Sequence, residues 1–158
     1  MKKYELTKET KTLADGTVLH RIRALLDIPR HGVKAGDLGG LIEKENNLSQ
    51  DGDAWIFDDA CVYGDARVYD NTEVSGNACV FGNAEVYGNA TVYGNACVSG
   101  DAYIFGNAYI FGDAKVYGNA KVSGDAKVSG KCYEAIVHAV ETIEAAKAEA
   151  KGESNGSK

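Results

Sequence analysis

Three cysteines recur at equal intervals in the middle of the chain: Cys61, Cys79 and Cys97. Thiols can coordinate soft metals, pair as disulfides or act as nucleophiles, so an evenly spaced set is a first candidate for chemistry. Zinc needs four close ligands, and neither a histidine nor a fourth cysteine joins the series, whose next member is Lys115. We therefore predict no metal site.

The three histidines give little support for catalysis. His20, His31 and His138 all lie outside residues 32–137. No serine–histidine–aspartate order, phosphate-binding loop or acid pair stands out either. A general base must come within hydrogen-bond reach of the group that it activates. The sequence therefore favours a protein that is not an enzyme, with no cofactor.

Charge is distributed unevenly along the chain, whose net charge is −6. Residues 1–34 carry eight basic against four acidic side chains, residues 35–114 carry two against thirteen, and residues 115–131 carry four against one. The acidic middle would repel nucleic acid, whereas its two basic flanks could attract an anion. We expect no nucleic-acid partner. The candidate ligand-binding residues are the flanking basic residues and nearby tyrosines: Arg21, Arg23, Lys34, Tyr69, Tyr103, Lys115 and Lys121.

These residues are positioned by a six-residue repeat. Thirteen successive Val or Ile residues recur at intervals of six, from Ile56 to Val128. Two residues after each comes Gly in eleven cases, and four residues after each comes Ala in eleven. This period fits neither a helix nor plain alternation. It predicts a short strand with an inward Val or Ile, a turn at Gly and Asn or Asp, and an inward Ala.

The units resemble the hexapeptide-repeat, left-handed parallel β-helix family, in which three hexads make one triangular coil. Over about residues 4–130 the chain is also similar to small phage and prophage proteins labelled putative transferase or polymer-forming. Its Gly36-Asp37-Leu38-Gly39-Gly40 segment before the hexads is part of that likeness. The resemblance implies an all-β solenoid of four to five coils over residues 50–132. The interval between the cysteines is three hexads, which places one thiol on each coil.

The segments on either side of the solenoid have different patterns. Within residues 1–49, a turn at Ala14-Asp15-Gly16 separates two strand-like runs and predicts a β-hairpin-like element that caps the solenoid. Residues 133–151 have apolar residues at spacings of three and four, which predicts a C-terminal α-helix. That helix would cap the last coil or help to oligomerise the chain. Residues 152–158 are polar, and we expect a disordered tail.

The cysteine positions also suggest an oligomer contact. Each cysteine precedes an inward Val and should therefore point outward, on a face without charge before Lys115. Uncharged surface is typical of interface cores, and the triangular section of this fold commonly associates three-fold. We therefore predict a homotrimer. Its contact residues are those of one face: Cys61, Tyr63, Cys79, Phe81, Cys97 and Tyr117.

Three functions remain open on these observations. The first is a non-catalytic binding or assembly protein that sequesters a small anionic ligand, such as a nucleotide immune signal of a phage's host. The second, implied by the resemblance, is an acyltransferase that uses an acyl-CoA. Members with that activity commonly have a histidine base and a loop extruded from a coil, and the uninterrupted hexads here have neither. The third is a structural or polymer-forming role.

Location follows from what the sequence lacks. No run of about 18 apolar residues predicts a membrane span, and the lysines at positions 2 and 3 are not followed by an apolar segment of the secretory type. We expect no membrane partner and a reducing cytoplasm, that of the host cell if a phage encodes the chain. The cysteines would then be free thiols.

Overall fold

The hexads form short parallel strands, one per repeat, in the computed structural model, which describes residues 2–133, 136–137 and 142–143. In chain order the strands are β1 (Tyr4–Thr12), β2 (Val18–Ala24), β3 (Leu38–Ile42), β4 (Trp55–Ile56), β5 (Cys61–Val62), β6 (Arg67–Val68), β7 (Glu73–Val74), β8 (Cys79–Val80), β9 (Glu85–Val86), β10 (Thr91–Val92), β11 (Cys97–Val98), β12 (Tyr103–Ile104), β13 (Tyr109–Ile110), β14 (Lys115–Tyr117), β15 (Lys121–Val122), β16 (Lys127–Val128), β17 (Lys131–Tyr133), β18 (Ile136–Val137) and β19 (Thr142–Ile143). Two single-turn 3-10 helices, Pro29–His31 and Glu45–Asn47, lie within the connections near the N-terminus.

Three parallel stacks of strands form the three faces of the solenoid. The cysteine face contains β3, β5, β8, β11, β14 and β17, and the antiparallel β1 and β2 extend the same sheet at one end. The tyrosine face contains β6, β9, β12, β15 and β18. The third face contains β4, β7, β10, β13, β16 and β19. From β4 to β16 paired strands lie three hexads apart, as Val80 and Val98 do. This arrangement confirms the predicted parallel solenoid and the N-terminal hairpin.

The core is a narrow column of Val, Ile and Ala. Every repeat Val or Ile from Ile56 to Val128, and every repeat Ala from Ala54 to Ala126, has no solvent exposure. One β-branched residue and one methyl group per hexad fill the triangular interior, so each coil buries its apolar residues only because the next coil covers them. Thr72 replaces an Ala of the pattern, and its hydroxyl donates to the Tyr69 carbonyl oxygen at 2.7 Å.

The corners need a backbone conformation that glycine adopts most easily. Where aspartate replaces glycine, Asp58 and Asp70 take the same left-handed conformation, with φ of 59° and 63°. Such a conformation costs a residue with a Cβ roughly 1–2 kcal/mol. The two carboxylates offset that cost because they accept hydrogen bonds from Gly76 N at 3.1 Å and Gly88 N at 3.0 Å in the next coil.

The N-terminal end of the core is closed by residues outside the repeat. Tyr4 is fully buried, with its ring edge-on to Trp55 at a centroid distance of 6.4 Å. The Lys3 ammonium donates to the carbonyl oxygens of Ala54 at 2.8 Å and Gly52 at 3.3 Å. Asn47 is also fully buried, and its amide donates to two carbonyls of the first coil. Backbone groups that have no preceding coil are thus paired by side chains.

The predicted C-terminal α-helix over residues 133–151 is wrong where the structure describes it. Ile136–Val137 and Thr142–Ile143 are strands that pair in parallel with β15 and β16. Their register places Val137 beside Val122 and Ile143 beside Val128, so the last coil is shorter than three full hexads. The open edge of the preceding coil offers unpaired backbone groups, and pairing with them outweighs a local helical preference. The other residues of the predicted helix, and those of the tail at 152–158, lie outside the described residues.

Candidate binding and assembly surfaces

The three cysteines lie side by side on the cysteine face. Cys61 and Cys79 are register partners on β5 and β8, and Cys97 follows on β11. All three are free thiols. A hydrogen bond with the Cys79 thiol and the nearby positive charges of Lys11 and Arg21 lower the pKa of Cys61 to about 7. The same bond raises the pKa of Cys79, because Cys79 is then the donor to a thiolate.

The chain's own hairpin covers the N-terminal part of this face. Cys61 packs with Leu19 and Leu41 in a buried cluster, and Leu13, Tyr63 and Cys79 pack against it. Cys61 is only 4% exposed as a result. The sequence correctly places this thiol on the outer side of the strand, but the cover of Cys61 comes from the same chain. A contact with another copy would have to use the residues further along the face.

Between the hairpin and Lys115 the cysteine face is partly exposed and uncharged. We call Cys79, Phe81, Cys97 and Ser99 the thiol strip; each of them is partly buried in the single chain. Tyr63 stacks on Phe81 with the ring centroids 5.1 Å apart and the planes 4° from parallel. Lys115 is exposed at the far margin of the strip, and Tyr117 lies on the same strand.

The predicted ligand-binding residues do not come together in one chain. Arg21 is engaged at the N-terminal end, where its guanidinium donates to the carbonyl oxygens of Gly39 at 3.0 Å and Asp58 at 2.7 Å. It also pairs with Glu9 and Asp59. Lys115 lies five strands further along the same sheet, roughly 24 Å away at the usual strand spacing. A small ligand could not contact both ends of a single solenoid.

The other predicted residues are distributed in the same way. Arg23 pairs with Glu5 at 3.0 Å, and Lys34 lies in the connection from β2 to β3, with its backbone N–H donating to Asp37 at 2.9 Å. On the tyrosine face, the Lys121 ammonium lies 5.8 Å from the centre of the Tyr103 ring, a cation–π contact. Tyr69 lies at the opposite end of that face, on the segment that follows β6.

Sequence reasoning missed a groove at the start of the tyrosine face. It has a volume of about 480 Å³, and one wall is the segment from Glu45 to Gln50. The other wall is formed by Arg67, Val68 and Tyr69. Arg67 is the only basic residue within residues 45–114, and this isolated positive charge was the one sequence signal that could have pointed to the groove. The segment at Glu45 comes alongside it only in the folded coil.

Neither described histidine lies in this groove. His20 is on β2, and its Nδ1 is 3.4 Å from the carbonyl oxygen of Thr7. The His31 ring packs edge-on to Phe57, with Nδ1 3.6 Å from a Glu73 carboxylate oxygen. Burial lowers the pKa of His31, which favours the neutral form of the ring. His138 lies outside the described residues.

Two further findings concern the described residues alone. They contain no group of three or more His, Cys, Asp or Glu side chains placed to hold a metal ion. They also contain no helix with the length and apolar character that crossing a membrane requires.

Comparison with known proteins agrees with this architecture. Residues 84–100 match the family model described as the YdcK beta solenoid repeat. The matched residues include β9, β10 and β11. The chain is therefore a β-solenoid repeat protein built from hexapeptide units. The comparison with curated proteins gives no match.

Proposed function

We propose that this protein is a non-catalytic scaffold that assembles into a homotrimer and binds a small anionic ligand. The observation that carries the proposal is the thiol strip, which is half-exposed and uncharged in the single chain. Interface cores are depleted in charge and enriched in aromatic residues, as the Phe81 region is. The strip continues the apolar cluster at the hairpin on one side, and on the other side the charged Lys115 lies at its margin, as a polar rim does at an interface.

A three-fold arrangement suits this surface because the thiol strip occupies one flat face of a triangular solenoid. Three copies that turn this face toward a common axis would bring their strips together, with Phe81 near the middle. A cyclic arrangement repeats each contact in every copy, so one unfavourable charge is introduced three times. The contact is therefore sensitive to a single substitution.

The test is sedimentation of the purified protein and of Phe81→Glu. The native chain should sediment as a trimer, and Phe81→Glu should sediment as a monomer with an unchanged circular-dichroism spectrum, because it places a charge in the contact. The matched control is Phe105→Glu, at the same repeat position on the tyrosine face, which should stay trimeric. A trimeric Phe81→Glu, a native monomer or concentration-dependent filaments would contradict the proposal.

Thiol labelling gives a second measurement of the same contact. Cys97 should react slowly with a bulky maleimide in the native trimer and at least about tenfold faster in Phe81→Glu. Cys61 should stay slow in both, because its cover is the chain's own hairpin. Fast labelling of Cys97 in the native protein would show that another face forms the contact.

The ligand in this proposal is a small anion such as a nucleotide. It is supported by the basic residues on the coils and by the Lys121 contact with Tyr103. The likeness to phage and prophage proteins suggests a use for such binding, which is to sequester a nucleotide signal of the host cell. Free thiols suit the reducing cytoplasm that we propose as the location. An acyltransferase has less support, since neither described histidine lines the groove.

A further inference from the structure

A column of parallel aromatic rings ends at the groove on the tyrosine face. Tyr69, Tyr87 and Phe105 stack at centroid distances of 5.0 and 5.1 Å, with planes within 7° of parallel. The Tyr69 hydroxyl donates to Glu85 at 2.7 Å, which holds the first ring in its orientation. One face of Tyr69 is covered by Tyr87, and the ring is also part of the groove wall.

Ser49 stands where the next ring of this column would be. Leu48 bridges to Val68 in parallel register, and Ser49 N donates to the Val68 carbonyl oxygen at 3.0 Å. Ser49 is therefore the neighbour of Tyr69, as Tyr69 is of Tyr87. Its side chain is too short to cover an aromatic ring, so the outer face of Tyr69 is open to the groove. A planar ring placed there would extend the stack by one step.

The groove also offers a positive charge. The Arg67 side chain is exposed and makes no hydrogen bond or ion pair with any residue that the structure describes. Glu45, the acidic residue of the opposite wall, is neutralised by Lys2 at 3.0 Å and accepts a hydrogen bond from Gln50 at 2.6 Å. Glu85, the strand neighbour of Arg67, accepts the Tyr69 hydrogen bond on one carboxylate oxygen and is not within ion-pair distance of the Arg67 guanidinium. The guanidinium is left to pair with an anion.

We propose that this groove binds a planar aromatic ring that carries a phosphate or carboxylate, with the ring stacked on Tyr69 and the anionic group paired with Arg67. The inference deepens the proposed binding role and rests on it, but the groove lies within one chain and does not require the trimer. A volume of about 480 Å³ is within the range of small-ligand sites and accommodates a mononucleotide. Neither Ser49 nor Arg67 is among the ligand-binding residues that we predicted from the sequence.

Calorimetric titration with four probes separates the two halves of this chemistry. AMP carries a ring and a phosphate, 1-naphthoate a ring and a carboxylate, adenosine a ring alone, and inorganic phosphate an anion alone. At least one of the first two should bind, with adenosine and phosphate each weaker by about tenfold or more. The stronger of the first two tells whether the anion is a phosphate or a carboxylate. Absence of binding by both at millimolar concentration would overturn the proposal.

Substitutions locate the site. Ser49→Phe should complete the ring column and weaken binding by about tenfold or more, whereas Ser49→Ala, which loses only the hydroxyl, should bind normally. Arg67→Gln should weaken the anionic probes and leave adenosine unchanged. The matched controls are Ser123→Phe, which fills the opposite end of the same column, and Lys8→Gln, which removes an exposed positive charge from the hairpin; both should bind as the native chain does.

Two outcomes would show that the groove is not the binding site but would leave the proposed binding function intact. Binding that is unchanged in both Ser49→Phe and Arg67→Gln, with native melting temperatures, would place the ligand elsewhere on the solenoid. Binding that is lost in Phe81→Glu but kept in the groove variants would place it at the trimer contact. A groove that binds normally in a monomeric Phe81→Glu supports the inference independently of assembly.

Discussion

In the coils the backbone hydrogen bonds between neighbouring strands repeat from one coil to the next, whereas the N-terminal cap is held by side-chain hydrogen bonds that each occur once. Phe81 N donates to the Val98 carbonyl oxygen at 2.9 Å, and Ser99 N donates to that of Val116 at 2.8 Å. In the cap, Lys3 and Tyr4 reach carbonyl groups 41 to 51 residues further along the chain. The same need for backbone pairing is met by repetition in one region and by individual side chains in the other.

This difference has a consequence for register. Because each hexad offers the same Val, Gly and Ala, the repeat alone would let the first coil begin one hexad earlier or later. The cap cannot shift in this way, since Lys3, Asn47 and Gln50 each have only one set of partners. The coils therefore supply most of the buried core, and the cap determines where the first coil begins. Substitutions in the two regions should differ accordingly.

The largest effect is expected where a charge enters the repeating core. Val74 has no solvent exposure, so Val74→Asp would bury a carboxylate without a partner and should lower the free energy of unfolding by about 4 kcal/mol or more. Ser75, the next residue, is half-exposed on the third face, and Ser75→Asp should cost less than about 1 kcal/mol. Urea denaturation followed by circular dichroism measures both. Equal losses in the two variants would contradict the inward position of Val74.

A smaller loss of stability is expected at the glycine corners. Gly100 and Gly112 have similar backbone conformations but differ in how closely the next coil approaches them. A Cβ on Gly100 would be 2.7 Å from Gly118 N, whereas one on Gly112 would have Ser129 Cβ, at 3.8 Å, as its nearest neighbour. Both glycines have positive φ, of 68° and 62°. Gly112→Ala should therefore cost only the backbone term of roughly 1–2 kcal/mol.

Gly100→Ala should cost that amount plus about 1–3 kcal/mol for the close contact with the next coil. Urea denaturation of the two variants under identical conditions gives the difference directly. If Gly100→Ala were no less stable than Gly112→Ala, the coils would not stack as tightly at that corner as the structure has them.

The smallest effect is expected in the cap and depends on pH. Burial lowers the pKa of Lys3 from 10.5 to about 8, against the opposing charges of Asp53 and Asp51. Between pH 8 and pH 10 the unfolded chain keeps this proton and the folded chain loses it, so stability should rise with pH. The expected gain is about 2 kcal/mol over that range.

Lys3→Met is the matched control, because it removes the titrating group and retains most of the side-chain length. The difference in unfolding free energy between pH 8 and pH 10 should be about 2 kcal/mol smaller in Lys3→Met than in the native chain. Because burial also raises the pKa of Tyr4, stability should fall again above pH 10 in both proteins. An identical pH dependence in both proteins between pH 8 and pH 10 would show that Lys3 is not buried.

Much of the repeat could be predicted because its cause is local. Each Val or Ile that the spacing places inside is buried, and aspartate takes the glycine conformation at Asp58 and Asp70, the two repeat positions where glycine is absent. The outward position of the cysteines was also correct. Alternation within a two-residue strand depends only on backbone geometry, and the turn depends only on which residues tolerate positive φ.

The C-terminal segment shows where local reasoning failed. Apolar residues at spacings of three and four predicted a helix, yet Ile136–Val137 and Thr142–Ile143 are strands. Residue spacing indicates which face of an isolated element would be apolar. It contains no information about the backbone groups of the adjacent coil that are available for pairing. The parallel edge of β15 and β16 decided the conformation of these four residues.

The sequence by itself determined the repeat, the inward residues and the outward position of the cysteines, because each follows from the conformational preference of a few adjacent residues. The coil of three hexads, which places the cysteines in one row, was implied by the resemblance to the hexapeptide-repeat family. Only the tertiary structure decided that the hairpin covers Cys61, that Lys3 closes the first coil, and that Ser49 lies beside Tyr69 in a groove that Arg67 also lines. These contacts join residues about 20 to 50 positions apart. Their geometry is set by how coils stack and where the first one begins, which no short window of residues contains.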